Sequence, residues 1–318
     1  MVPFSYTLSD QLKASLQKTD ALRIQMLITP LPPKAELKIR WEAMLDRVYY
    51  TLILDKSSVQ KRTLVDVLTA SPQIKKRKLP TPEEKQVTRF KHGLDLIEQE
   101  WLVTDKPVTV RAVINLHTLA CSGQYRTGDT ELPQLMSYLE ANPDHPVVQA
   151  AVVYACMYRI DAFTEGNGRI ASLLALLLLY KAGYDCRGLL ALEKEWLNQP
   201  QVYHEKLEQG MHSSYMTSWI EYFAETLAGN LERKLQDMKV PLKTSESSKS
   251  FFDLNNRQKA IMSMLNEPGI RITNRDIQKQ FKISQITSSR DLAHLVLLGL
   301  LVPHGKGRSV FYTKLTTT

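Results

Sequence analysis

The chain has 318 residues, 43% of them hydrophobic and 23% charged, enough for about two domains with a large buried core. Its three cysteines, Cys121, Cys156 and Cys186, are far apart and odd in number. That argues against a disulfide framework or a cysteine zinc cluster and points to a reducing, cytoplasmic setting. No basic-then-apolar leader opens the sequence, and the longest apolar run, Ile170 to Tyr180, has 11 residues against the roughly 20 of a membrane span.

The net charge of +8 is unevenly placed: residues 251–318 hold ten Lys/Arg against four acids, or +6. A basic module at one end points to an anionic partner, duplex DNA before a membrane, because no amphipathic Trp/Phe face accompanies it.

In chain order, most of the sequence reads as helix. Lys34 to Leu54 places Leu37, Ile39, Met44, Leu45, Val48 and Leu52 at helical spacing behind Pro32-Pro33. Lys75-Lys76-Arg77-Lys78 reads as a solvated basic loop. A helix from Arg89 to Trp101 follows a start at Pro82. Thr109 caps another that runs to Ala120, with His117 a core or edge residue among Ile114, Leu116 and Leu119. Pro146 opens the segment Val147 to Tyr158.

After a Gly-rich turn, Ile170, Leu173, Leu174, Leu177 and Leu178 line one face of a helix whose remaining faces are also apolar, the pattern of a central buried helix, stopped at Gly183. Further helices fit Leu192–Trp196, Gln201–Ser214 and Thr217–Gln236, with Tyr215 and Trp219 expected in the core. The seven histidines show no metal-ligand spacing.

Pro241 to Ser250 is polar and unpatterned and reads as a linker. Beyond it, helices are expected over Asn255 to Leu265 (Ala260, Ile261 and Leu265 inward), from a Thr273 cap to Phe281, and from a Ser284 cap to about Leu298, with Gly299 as the stop. Leu300 to Tyr312 then reads as strand, Gly-rich turn, strand. Three helices and a basic hairpin resemble a winged helix-turn-helix. Its third helix would expose Gln285, Thr287, Ser288, Ser289 and Arg290 to a major groove, and Lys306 and Arg308 on the wing would meet phosphates. Protein docking by the same module stays open.

The run Asp161-Ala-Phe-Thr-Glu-Gly-Asn-Gly-Arg169 lies between two apolar helical segments. Two glycines allow left-handed backbone and close approach, and the turn opens a long helix whose free N–H groups and positive dipole end suit a phosphate. Glu165 can take a Mg²⁺ and Arg169 adds a fixed cation. A plain Gly-rich turn between buried helices is the other reading.

This run resembles the motif of the Fic (Fido) family, His-Pro-Phe-x-Asp/Glu-Gly-Asn-Gly-Arg-x-x-Arg, at Phe163, Glu165, Gly166, Asn167, Gly168 and Arg169. Thr109 to Ala120 with Tyr125-Arg126-Thr127-Gly128, the Pro32-Pro33 helix, and Trp219 to Phe223 resemble the family's surrounding elements. The resemblance implies an all-α Fic domain with a small α+β winged-helix domain at the C-terminus: an N-terminal region over 1–95, the Fic core over 96–238, a linker over 239–250 and the winged module over 251–318.

It further implies AMP transfer from ATP to protein hydroxyls, with ATP and Mg²⁺ as ligands. Phe163, Gly166, Asn167, Gly168 and Arg169 would bind nucleotide and Glu165 the metal.

Departures accompany it. Asp161 stands at the base His, Ala162 at the Pro and Ser172 at the last Arg. The substrate flap shrinks to Asp129-Thr-Glu-Leu132, and Lys61 and Arg62 stand at the Glu and Gly of the inhibitory motif. An ordinary Asp, with a pKa of about 3.9 against about 6.5 for His, is a poor base near neutrality. The reading is therefore a degenerate family member, a nucleotide-binding or regulatory pseudoenzyme. The alternative is a DNA-binding transcriptional regulator with the Fic domain as a dimerisation scaffold. A protein target and a homodimer are the other expected partners, and no membrane.

Overall fold

A computed structural model describes residues 4–69, 79–126, 128–141, 144–239, 254–265, 270–298, 300–305 and 310–314. The basic run 75–78, Thr127, Gly299, Lys306, Arg308 and all of the linker 239–250 except Lys239, which ends a helix, lie outside them.

Eleven helices precede the linker among the described residues: α1 Asp10–Ile28, α2 Pro33–Leu54, α3 Lys61–Thr69, α4 Pro82–Glu100, α5 Val110–Ala120, α6 Glu131–Ala141, α7 Pro146–Ile160, α8 Asn167–Lys181, α9 Leu192–Asn198, α10 Pro200–His212 and α11 Thr217–Lys239. Their starts follow local chemistry. Proline occupies the first turn of α2, α4, α7 and α10, where no amide hydrogen bond is lost. Thr81 forms a capping box with Glu84, and Thr109 caps α5 through the Ala112 N–H.

The expected helices are present, several of them longer than their apolar pattern. α4 starts at Pro82, and its first turns carry charge on the solvent side, with only Val87 onward buried. α1, α3 and α6 were not foreseen. α1 has almost as much polar as apolar character, yet buries Leu12, Leu16, Leu22 and Met26 along α11.

α8 is the axis of the bundle: every residue from Gly168 to Tyr180 is buried. α7, α5, α4 and α2 pack around it. One core runs from Leu12 to Met238, so 1–95 and 96–238 share a single interior. At one end Tyr154, Trp196, Tyr203, Trp219 and Phe223 interlock, with Tyr154 stacked on Trp219 at 5.6 Å and Trp196 on Tyr203 at 5.3 Å. Trp219 is fully buried and its Nε1–H donates to the Ala151 carbonyl at 2.7 Å. Tyr215, expected beside it, is instead 51% exposed; it precedes α11, in a segment bridged to Ser5, and its hydroxyl donates to Thr7.

After residue 253 come α12 Asn256–Met264, β1 Arg271–Thr273, α13 Asn274–Phe281, α14 Gln285–Leu297, β2 Leu301–His304 and β3 Phe311–Lys314. The strands form an antiparallel sheet in the order β1-β3-β2, with Ile272 opposite Tyr312 and Val302 opposite Thr313. Ile261, Leu265, Ile272, Ile277, Leu292, Leu295 and Leu301 form its own small core; Ala260, expected inward, is only half-buried. This unit sits on the bundle through Leu254, Leu298 and Leu300 against Trp41, Leu37, Met44, Leu45 and Leu68. No helix of the described residues is long and apolar enough to cross a membrane.

α4 approaches α5 closely at Gly93, where an added Cβ would lie 2.6 Å from the Ala120 Cβ. Overpacking of this kind costs about 1–3 kcal/mol. Gly93→Ala is expected to lose that much in urea unfolding with an unchanged slope; an unaltered midpoint would show that the helices separate freely.

Candidate functional site

The run 161–169 leaves α7 and enters α8. Asp161 ends α7 in the left-handed region (φ 50°), and Gly166, also left-handed (φ 79°), caps α8. Between them the loop pairs with the segment after α5: the Arg126 N–H donates to the Ala162 carbonyl at 2.8 Å and the Thr164 N–H to the Gln124 carbonyl at 2.9 Å. Phe163 is buried and stacks on His117 at 3.7 Å, nearly parallel. The His117 Nε2–H donates to the Glu165 carbonyl at 2.8 Å. Burial holds its imidazole below the usual value, so His117 is a neutral, buried strut of the loop.

Asp161 is occupied on both carboxylate oxygens. Oδ1 accepts from Asn167 Nδ2 at 2.6 Å and Oδ2 pairs with Arg126 Nη2 at 3.0 Å, while Arg126 Nε donates to the Asp161 carbonyl at 2.9 Å. The Asn167 amide is spent in the same bracket. Its Nδ2 also donates to the Phe163 carbonyl at 2.7 Å and its Oδ1 accepts the Phe163 N–H at 3.0 Å.

The helix N-terminus already holds an anion, and it is the chain's own. Asp55, the residue after α2, pairs through Oδ2 with Arg169 Nε at 2.5 Å and is drawn toward the Gly168 N–H. Burial pushes its carboxyl above the usual range while Arg169 and Gly168 oppose that rise. There is little room beside it: a Cβ on Gly168 would lie 2.6 Å from Tyr158 Oη and 2.8 Å from Asp55 Oδ1. Arg169 is buried and its Nη1 has no partner.

Glu165 is exposed, and no cluster of three or more His, Cys, Asp and Glu side chains occurs among the described residues. In this arrangement the residues of the turn do not fit the triphosphate that the motif implies, because Asp55 stands where a phosphate would take Arg169 and the Gly168 N–H.

A polar seam continues from Asp55 along the α2–α8 contact. Arg47 and Thr51 of α2 and Asp55 just after it recur every four residues, as neighbours on one helix face do. Buried Arg47 donates to the Leu190 carbonyl at 2.9 and 2.5 Å. The Thr51 and Ser172 hydroxyls face the buried Glu193 carboxylate, with Arg47 nearby. Ser172 thus belongs to this interior seam.

The site residues foreseen in the turn are brought together. Lys61 and Arg62 are not among their partners: Lys61 Nζ lies 5.0 and 4.9 Å from the ring centres of Tyr49 and Tyr50, and Arg62 is turned to solvent near Asp66. The shortened flap is shorter still. Glu131 and Leu132 belong to α6, whose first N–H groups bond to the Asp129 carboxylate at 2.9 and 3.4 Å. Asp55, Arg126 and His117 were missed as partners of the turn; the four-residue recurrence of Arg47, Thr51 and Asp55 was the available signal for the first.

Residues 107–179 match the Fic/DOC family. The chain carries a Fic-family domain. Its fold is similar over 99% of this chain and 98% of the other to a Fic family protein from Desulfovibrio desulfuricans G20, with 16% identity and a TM-score of 0.59. Residues 134–508 of Fic-1 from C. elegans match with 16% identity and a TM-score of 0.58, over 72% of this chain and 73% of that one. A Fic domain containing signaling protein from Bacteroides thetaiotaomicron VPI-5482 matches with 18% identity and a TM-score of 0.50, over 72% of this chain and 97% of that one. No curated protein matches the Fic-domain chain in sequence.

On α14, Gln285 and Arg290 are exposed and Thr287 and Ser289 half-buried. Ser288, expected exposed, is fully buried and donates to the Asn274 carbonyl at 3.1 Å. It lies on the face that packs α14 against α13. Ile286, exposed, stands beside Gln285 at the start of the helix.

Burial pushes the Glu193 carboxyl above its ordinary range, its own backbone and Arg47 opposing. A carboxyl with a raised folded pKa binds its proton more tightly when native. Its contribution to stability is therefore full below the unfolded value of about 4.3 and is lost as pH rises through the folded value. Glu193→Gln keeps the shape without the charge. Between about pH 4 and about pH 7 its melting temperature should change in its favour relative to wild type; a constant difference would contradict a raised pKa.

Proposed function

We propose that this chain is a regulatory pseudoenzyme on the Fic fold, without ordinary AMP transfer. The observation that carries this is the Asp55 carboxylate on Arg169 at 2.5 Å and against the Gly168 N–H, an internal anion where transfer chemistry needs a phosphate. Two further arrangements support it. Asp161, at the position of the family's base, is an aspartate held by Asn167 and Arg126, and an ordinary carboxylate is a far weaker proton acceptor near neutrality than an imidazole; loss of a general base costs about 10²–10⁴ in rate. The flap position is taken by the capped start of α6, with no flap strand there among the described residues, which would forgo that means of positioning a target.

Incubation with ATP labelled on the α-phosphate and a cell extract is expected to leave no AMP on protein, with wild type and with Asp161→His alike. Robust labelling by the single variant would show that the base was the sole deficiency and sink this reading.

The regulatory part is assigned to residues 251–318 as a duplex-DNA-binding winged helix. The order helix, strand, helix, helix, strand, strand with sheet order β1-β3-β2 supports it. So does the exposed start of α14 with Gln285, Ile286 and Arg290, and the +6 charge of the segment. A helix presented this way enters a major groove by its first turns, and cations beside it meet phosphates. Anisotropy with a fluorescent duplex should show binding that weakens with salt, and Arg290→Ala should lower the slope of log K against log salt by about 1. Salt-independent binding, or none at low salt, would remove the DNA assignment and leave protein docking.

A further inference from the structure

We propose that the docked C-terminal module keeps Asp55 in the α8 N-terminus, so that release of the module and binding of a phosphate-bearing anion at that nest are linked. The inference rests on the closed-nest reading above and adds what holds the nest closed.

Asp55 sits at the apex of a helical hairpin. α2 ends at Leu54, Lys56 turns the chain in the left-handed region (φ 62°), and α3 starts at Lys61. The turn is closed by the Lys56 N–H on the Ile53 carbonyl at 3.0 Å and the Ser57 N–H on the Leu52 carbonyl at 2.9 Å. Such a turn moves with its two arms.

The module grips both arms. Leu254, Leu298 and Leu300 form one apolar cluster with Leu37, Trp41, Met44 and Leu45 of α2 and with Leu68 of α3. Trp41 and Leu298 are its buried centre. Fourteen residues at about 1.5 Å each set Trp41 roughly 20 Å along α2 from Asp55. The seat and the nest are therefore opposite ends of one continuous helix, which Arg47 pins at its middle to the Leu190 and Gly188 carbonyls. A module seated across both arms fixes their angle and, with it, the apex.

Two observations at the nest show that the carboxylate holds a place an anion can take. Arg169 is buried, and its Nη1 finds no partner even with Asp55 bound, so donor capacity is left over. The Asp55 carboxyl is itself pushed above its usual range by burial, the mark of a charge that its surroundings hold at a cost.

The exposed start of α14 and Leu298, the residue that caps its far end, lie on one continuous segment. A duplex that repositions α14 therefore acts on the seat. By reciprocity an anion that expels Asp55 loosens the seat by the same factor.

The test is calorimetric titration of inorganic pyrophosphate into the full chain as wild type, Leu298→Ala, Asp55→Ala and the double variant. Leu298→Ala is expected to bind at least about 5-fold more tightly than wild type, the lower end of ordinary coupling, and Asp55→Ala more tightly still. The double variant should differ from Asp55→Ala by less than about 2-fold, because the module acts through Asp55. Partial unfolding of the small module by Leu298→Ala leaves the comparison valid, since either event empties the seat; Trp41→Phe provides a milder version. If Leu298→Ala matches wild type while Asp55→Ala tightens binding, the closed nest stands and the linkage falls. If Asp55→Ala binds no pyrophosphate, the nest itself is refuted, and the linkage with it.

Discussion

A half-buried carboxylate at the N-terminus of a buried helix organises this molecule. Thirteen successive residues of α8, Gly168 to Tyr180, are shielded from water, so the N–H groups and positive dipole end at its start need a partner from within the protein or from a ligand. Asp55 supplies that partner from α2 and neutralises Arg169 at the same time. Breaking such a pair by removing one member leaves an uncompensated buried charge. That is why a four-residue spacing of polar groups is held inside an apolar interface, and why α2 cannot be treated as a peripheral addition to the Fic core.

The turn around the nest is built with the same economy of free groups. Asn167, Asp161 and Arg126 satisfy one another and the backbone between them, and His117 closes the far side against Phe163 and the Glu165 carbonyl. Buried polar groups are costly when unpaired and specific when paired. Here the pairing of Asp161, Asn167 and Arg126 fixes the loop's shape.

The sequence made much of this legible. Apolar periodicity located α2, α5, α7 and α8, and cap residues such as Thr109, Thr273 and Ser284 marked starts that the structure places where the caps predict. α1 was illegible because its burial comes from a partner distant in the chain, α11, and α6 is short, its first N–H groups capped by the Asp129 carboxylate. β1 was missed because three residues carry too little pattern and its strand character comes from pairing with β3. At the site, the Gly turn and its flanks were plain from composition. The plug was not: Asp55 and Arg169 are 114 residues apart, and only the fold brings a lone carboxylate to that helix end. Ser288 shows the converse limit, a polar residue read as exposed that instead satisfies a carbonyl at a helix contact.

The most direct measurement is a crystal structure of the full wild-type chain grown with excess ATP and Mg²⁺. The account predicts the Asp55 carboxylate on Arg169 and the Gly168 N–H, with the Asp161–Arg126–Asn167 bracket intact and no triphosphate at the helix end. A triphosphate seated on the Gly168 N–H and Arg169, with Asp55 swung away and the module still on Trp41, would contradict it.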